Sequence, residues 1–265
     1  MKPFFLLGIA VLGICSHGEQ TDSRAMNRTL DSLKSSFFIQ ECCSTFLAPC
    51  LAKQPPCDLA TRLLAFAEWL IPAVGSYSKA ELELQRRYAS LTTNDMHVID
   101  TTIMPWLGDA KAATTIVIYV SANCGICKKV TTGLIEEVTE GRLKKTARLM
   151  IKPFGAGIGD LALIAATRKG KLWEFFDLIR LVETRLDEET ILGAAEKSGI
   201  NRNEFAAVLT DSSTRALLAA CRSEGKNNGV EVTPTIFING RRYRSYKDPR
   251  WVVDAAEFIG GKHPK

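Results

Sequence analysis

The chain has 265 residues, 46% hydrophobic and 24% charged, and its 34 basic and 29 acidic side chains leave a net charge of +5. Such a balance describes an ordinary globular chain. It excludes a disordered polyelectrolyte, a collagen-like repeat and a bundle of membrane spans. A charge this mild gives no concentrated basic face, so no nucleic-acid partner is expected. The eight cysteines are the unusual feature, too few for a disulfide-only scaffold of this length and too many to ignore.

Lys2 is followed by an apolar run from Pro3 to Ile14, with the small residues Ser16 and Gly18 just beyond. A positive start, a short apolar stretch and small residues predict a secretory signal peptide over residues 1–18, cleaved after Gly18. The run is well short of the roughly 20 residues a membrane-spanning helix needs. A rival reading makes Cys15 the lipid-anchored first residue of a lipoprotein, although Ile14 before it is bulkier than such sites accept. Either way a periplasmic or otherwise exported protein is expected, and loss of Cys15 would leave it an odd number of cysteines.

Residues 19–94 read as a helical region carrying Cys42, Cys43, Cys50 and Cys57. Leu63, Leu64, Ala67 and Leu70 recur at helical spacing until Pro72 and Gly75 interrupt them. Ser78 with Glu81 forms a candidate capping box for a second helix, and 92–94 reads as a linker. Cys43, Cys50 and Cys57 are spaced by seven, two helical turns, but Pro55 and Pro56 break any single helix. Two disulfides stapling a helix pair or hairpin are the expectation for all four cysteines. A metal site and a second redox relay are the alternatives.

From residue 95 the texture becomes strand, helix, strand. Thr115–Val120 is a continuous β-branched and aromatic run, as in a central strand covered on both faces. Cys124-Gly125-Ile126-Cys127 follows at once, opening an amphipathic helix on Ile126, Val130, Leu134 and Val138. Residues 148–151 form another short strand, and a long helical section follows with Asp187 and Asn201 as caps. Thr235–Ile238 is a strand, Asn239-Gly240 a hairpin turn, and Asp248-Pro249 the start of a last helix.

Two thiols separated by two residues at a helix start carry the chemistry. Unpaired N–H groups and the positive helix end favour an anion at Cys124, and Cys127, one turn further in, can resolve a mixed disulfide. Lys128 and Lys129 add charge nearby or are simply solvated. A zinc half-site is the rival reading, but no second ligand pair follows in this region. The second element is Val232-Thr233-Pro234-Thr235. A proline here belongs at the strand's first position, and since only about 5–6% of X–Pro bonds are cis, local considerations favour an ordinary trans turn.

Gly108-Asp109-Ala110, the Thr115–Val120 strand and Cys124-Gly-Ile-Cys-Lys resemble the opening of the DsbA/DsbC/DsbG-type thioredoxin-fold domain. Residues 229–240, from Gly229-Val230-Glu231 through Pro234 to Asn239-Gly240, resemble that family's cis-proline segment. The stretch Gly170-Lys171-Leu172-Trp173-Glu174-Phe175-Phe176-Asp177 is similar to its helical insertion. The resemblance implies an α/β thioredoxin fold over 95–265, with a helical insertion at about 158–226 and a small all-helical, Cys-containing region before it. It implies Cys124 as nucleophile, Cys127 as resolving thiol, and a cis Pro234 preceded by Thr233. The Gly-Ile dipeptide departs from the family's Pro-His and Tyr-containing pairs, which leaves the direction of electron flow open.

The expected function is that of an exported protein-disulfide oxidoreductase, working as oxidase, reductase or isomerase on protein thiols and disulfides. A membrane redox partner is expected and no cofactor is implied. A copper- or zinc-binding module, or a Cys-rich assembly adaptor, is the alternative. Cys221 reads as a buried free thiol. His97 reads as a surface or core residue, and Arg241, Arg242, Arg244 and Lys247 as a solvated basic face.

Overall fold

A computed structural model describes residues 17–261 of the chain. The expected signal segment and Cys15 lie outside the described residues, save for His17 and Gly18 in the first turn of a helix. The chain divides into two compact units, residues 1–82 and 83–265.

The first unit contains α1 (His17–Ser36), β1 (Phe38–Ile39), β2 (Thr45–Phe46), α2 (Leu47–Leu51), α3 (Asp58–Val74) and the start of α4 (Tyr77–Thr92). It is therefore not all-helical. Phe38 and Ile39 pair antiparallel with Phe46 and Thr45, and the Phe38 and Phe46 rings meet edge to face at 5.7 Å. Between them the chain turns through Ser44, whose φ is 48°. Leu33, Leu47, Leu63, Phe66 and Leu70 fill the interior. Pro72 does not end α3 where expected. The helix runs to Val74 and closes on Gly75, whose φ of 63° suits a left-handed cap. The cap of α4 is Ser76 rather than Ser78, since its carbonyl and hydroxyl oxygens accept the N–H groups of Ala80 and Lys79.

The second unit begins inside α4, ahead of the boundary expected at 94–95, because Arg87 and Ser90 bond within this unit. Arg87 has no exposed surface; it donates to the Trp251 carbonyl at 2.6 Å and pairs with Asp254. Ser90 Oγ accepts the Arg244 N–H. Next come β3 (Leu107–Gly108), β4 (Thr114–Val120), α5 (Gly125–Thr139) and β5 (Ala147–Pro153). Five helices follow: α6 (Ile158–Arg168), α7 (Leu172–Ile179), α8 (Glu188–Lys197), α9 (Arg202–Thr210) and α10 (Ser212–Asn227). The unit closes with β6 (Thr235–Ile238), β7 (Arg241–Tyr243) and α11 (Pro249–Gly260).

The sheet runs β3-β5-β4-β6-β7. The central β4 is parallel to β5 and antiparallel to β6. Its residues Ile116 to Val120 are all buried, which is why the run is apolar at every position rather than at alternate ones. On the insertion side α10 comes close enough that a Cβ on Gly225 would lie 2.9 Å from the Tyr119 ring. Asn239 and Gly240, with φ of 47° and 77°, make the tight turn from β6 into β7. Asp187 and Asn201 cap α8 and α9 through their side chains, and Asp248 caps α11. This is the expected thioredoxin fold with a helical insertion.

Candidate active site

The β4 strand delivers the chain to a short loop, and α5 begins at once. Cys124 is the N-cap of α5, with extended backbone (φ −86°, ψ 111°). Its sulfur accepts the Cys127 N–H at 3.1 Å, so the first turn of the helix already donates to the atom that would carry a thiolate. Cys124 and Cys127 are disulfide-bonded, with Cα atoms 5.1 Å apart. The two sulfurs differ in access. Cys124 is half-buried, whereas Cys127 is 1% exposed against the core.

Thr233 and Pro234 come to the same place from 109 residues along the chain, with the Cys124 sulfur 3.8 Å from the Thr233 carbonyl oxygen. The Thr233–Pro234 bond is cis, where the local sequence favoured trans and the family resemblance implied cis. Pro234 is buried at the head of β6, and Thr235 fixes the segment by donating its hydroxyl to the Val232 carbonyl at 2.7 Å. Val232 and Ile126 flank the disulfide with 66% and 60% of their surfaces exposed. Two large apolar side chains thus stay open to solvent on the segments that carry the redox pair and the cis proline.

Asp160 carries no signal of its own in the sequence, although it stands at the third position of α6 behind Gly155-Ala156-Gly157. Its buried carboxylate accepts the Ala122 N–H at 3.0 Å and the Gly157 N–H at 3.2 Å. It thereby ties the loop that precedes Cys124 to the start of the insertion. Burial pushes its carboxyl above the usual range, and the two backbone donors partly offset that. Asn123 adds a second tie, its side-chain oxygen accepting the Leu186 N–H at 2.9 Å. Lys128 is not simply solvated: its ammonium donates to the Val182 carbonyl at 2.6 Å, and partial burial lowers its pKa. Lys129 is exposed.

Beneath the sheet lies a second buried polar group. Lys152 of β5 is wholly buried, pairs with Glu224 of α10 and donates to the Asp100 carbonyl at 2.6 Å. Tyr119 donates its hydroxyl to Glu224 at 3.0 Å, and burial beside that carboxylate pushes the phenol far up. Charged groups so deep are kept only with partners, and here the partners span the sheet and the insertion.

The family model described as Thioredoxin matches residues 100–255, which hold every residue of this site. The chain belongs to the thioredoxin family. Among solved structures it is similar to oxidised BdbD from Bacillus subtilis, 15% identical, covering 63% of this chain and 98% of that one with a TM-score of 0.55. It is also similar to a thioredoxin-like oxidoreductase from Silicibacter pomeroyi DSS-3, 18% identical, covering 59% of this chain and 91% of that one, TM-score 0.52. At those identities the likeness is one of fold, and that fold is the DsbA-type arrangement expected from the motifs. A Na(+)/H(+) antiporter NhaA from Herminiimonas arsenicoxydans is 26% identical over 155 residues, 57% of this chain and 24% of the antiporter. The chain spans about a quarter of the length of the curated relatives it matches. Among the described residues no helix is long and apolar enough to cross a membrane.

The other cysteines among the described residues of this thioredoxin-family chain fall into two groups. Cys42 bonds to Cys57 and Cys43 to Cys50, closing the hairpin and α2 onto the start of α3. Cys221 is a buried free thiol on α10, pushed up to about 11 by burial. His97 packs against Phe237 with ring centres 4.9 Å apart, a core role. The basic cluster is not a solvated face. Arg241, Arg242 and Lys247 are half-buried and only Arg244 is exposed. Burial brings Lys247 down to about 8, and its ammonium donates to the Ser245 carbonyl.

Proposed function

We propose that the chain is an exported thiol:disulfide oxidoreductase acting on protein thiols and disulfides, with Cys124 as nucleophile and Cys127 as resolving thiol. The observation that carries this reading is the half-buried Cys124 sulfur at the N-terminus of α5, bonded to a Cys127 that is shut off from solvent. As an oxidase, the Cys124–Cys127 disulfide accepts a substrate thiolate at the Cys124 sulfur. A second substrate thiol then releases the pair as a dithiol, two electrons having passed to the enzyme. Run backwards, the Cys124 thiolate attacks a substrate disulfide and Cys127 displaces the reduced substrate.

Thr233, Val232 and Ile126 supply the docking surface, the Thr233 backbone lying beside the sulfur and the two apolar side chains gripping the peptide. The Silicibacter pomeroyi structure is named a thioredoxin-like oxidoreductase, and that kinship supports the same class of activity here. Export rests on Lys2 and the apolar run to Ile14, and on the cysteine pairs outside the site, which belong to an oxidising compartment. A membrane redox partner would return the pair to its working state.

Cys124→Ser is expected to abolish both insulin reduction and dithiol oxidation, and Cys127→Ser to accumulate mixed disulfides visible by mass spectrometry. Undiminished activity in Cys124→Ser overturns the proposal. A glutathione titration of the pair sets the direction: a potential near about −120 mV marks an oxidase, and about −200 mV or lower a reductase or isomerase.

A further inference from the structure

The four cysteines of the first unit are closer together than two independent staples require. All four sulfurs lie within 4.8 Å of one another. Across the two disulfides, Cys42 Sγ stands 3.7 Å from Cys43 Sγ and 4.0 Å from Cys50 Sγ. Zinc bound by four thiolates at about 2.3 Å places its sulfurs at the corners of a tetrahedron with edges of about 3.8 Å. The spacing between the two disulfides therefore matches that edge already. Within each disulfide the Cα atoms are 6.3 and 5.6 Å apart, which leaves room for the bonded sulfurs to part once reduced.

We propose that residues 42–57 form a redox-gated zinc site, two disulfides when oxidised and a four-thiolate zinc centre when reduced. Cys57 stands at the N-cap of the 17-residue α3 and its sulfur accepts the Ala60 N–H at 3.5 Å, a donor that stabilises a thiolate. Cys50 is wholly buried, which gives the centre a dry side, while Cys42 is exposed and leaves an entry path. The candidate ligand atoms gathered here are four sulfurs, with neither Glu41 nor Asp58 among them, and Asp58 is held by Arg62 at 3.0 Å, so the donor set is sulfur alone. Four soft donors select zinc over calcium or magnesium. Opening the site consumes two molecules of a dithiol reductant, each passing two electrons and two protons to one disulfide and leaving as a disulfide itself. Zinc then displaces four thiol protons.

The inference is independent of the Cys124–Cys127 chemistry, and the test removes that pair. The full chain carrying Cys124→Ser and Cys127→Ser is reduced with a phosphine without oxygen and titrated with Co²⁺, then Zn²⁺. One equivalent of Co²⁺ is expected to give thiolate-to-cobalt charge-transfer bands and the intense visible bands of a tetrahedral ion, both erased by one equivalent of Zn²⁺. Cys50→Ser in the same background is expected to weaken zinc at least tenfold. In the chain with all four cluster cysteines intact, bound zinc is expected to slow their alkylation at least tenfold, which needs no folding of a cluster variant. Absence of the tetrahedral spectrum, or alkylation at an unchanged rate in zinc, overturns the proposal and leaves two structural disulfides.

Discussion

The two units hold themselves together by different means, and their cysteines differ accordingly. The first closes a short hairpin and a five-residue helix with two disulfides whose partners are 15 and 7 residues apart. The second has a five-stranded sheet and buried ion pairs, Arg87–Asp254 and Lys152–Glu224, and its one disulfide joins residues three apart in the first turn of α5. A cross-link that spans elements constrains the unfolded chain, whereas one that spans a single helical turn is free to open and close. The Cys124–Cys127 pair can therefore open without loss of a long cross-link, whereas opening the pairs of the first unit removes cross-links that zinc would replace.

The largest effect should come from the buried arginine. Arg87→Met strands Asp254 without its cation and is expected to lower stability by about 3–5 kcal/mol, read from denaturant melts; a loss below about 1 kcal/mol would show the second unit does not depend on that pair. Next come the staples of the first unit. Removing Cys42–Cys57 as an alanine pair should cost about 3 kcal/mol, and removing Cys43–Cys50 about 2 kcal/mol, because the first closes the longer loop. The reverse order would mean that packing, not loop closure, sets their worth.

Asp160→Asn probes the loop before Cys124 and should cost about 1–3 kcal/mol by spoiling the acceptance of two backbone N–H groups. The pH dependence has a definite sign. The folded carboxyl titrates above the ordinary aspartate value, so the folded state binds the extra proton, and its share of stability falls as pH rises from about 4 through the raised value. The same Asp160→Asn substitution should flatten that fall, as paired melts across the acid range would reveal. The smallest effect concerns Cys221, which should stay unalkylated at neutral pH in the folded, reduced protein while Cys124 reacts. Equal labelling rates would place Cys221 within reach of solvent.

What could be read in the sequence was whatever depends on neighbours along the chain. Thr115–Val120 and the cysteines after it announce themselves by composition and spacing, and Asp187, Asn201 and Asp248 by their place before a helix. Thr233 and Pro234 were legible by resemblance alone, since nothing in four residues tells that they end beside Cys124. Asp160 and Arg87 were illegible for a plainer reason. Their partners, Ala122 and Asp254, lie 38 and 167 residues away, and a charged side chain on a helix looks the same whether it meets water or the core. The strands β1 and β3 are two residues long, too short for any period to show.

Asp160 lies in the first turn of the inserted helices and Glu224 in the last, and both carboxylates reach out of the insertion, one to Ala122 before the redox pair and the other to Lys152 on β5. The insertion is thus footed at both ends, like an arch. Between the footings the stretch 180–188 is tied as well, Val182 to Lys128 and Leu186 to Asn123, so a load placed there is passed directly to the neighbourhood of Cys124. Trimming that stretch removes these two ties while the footings at Asp160 and Glu224 stay where they are.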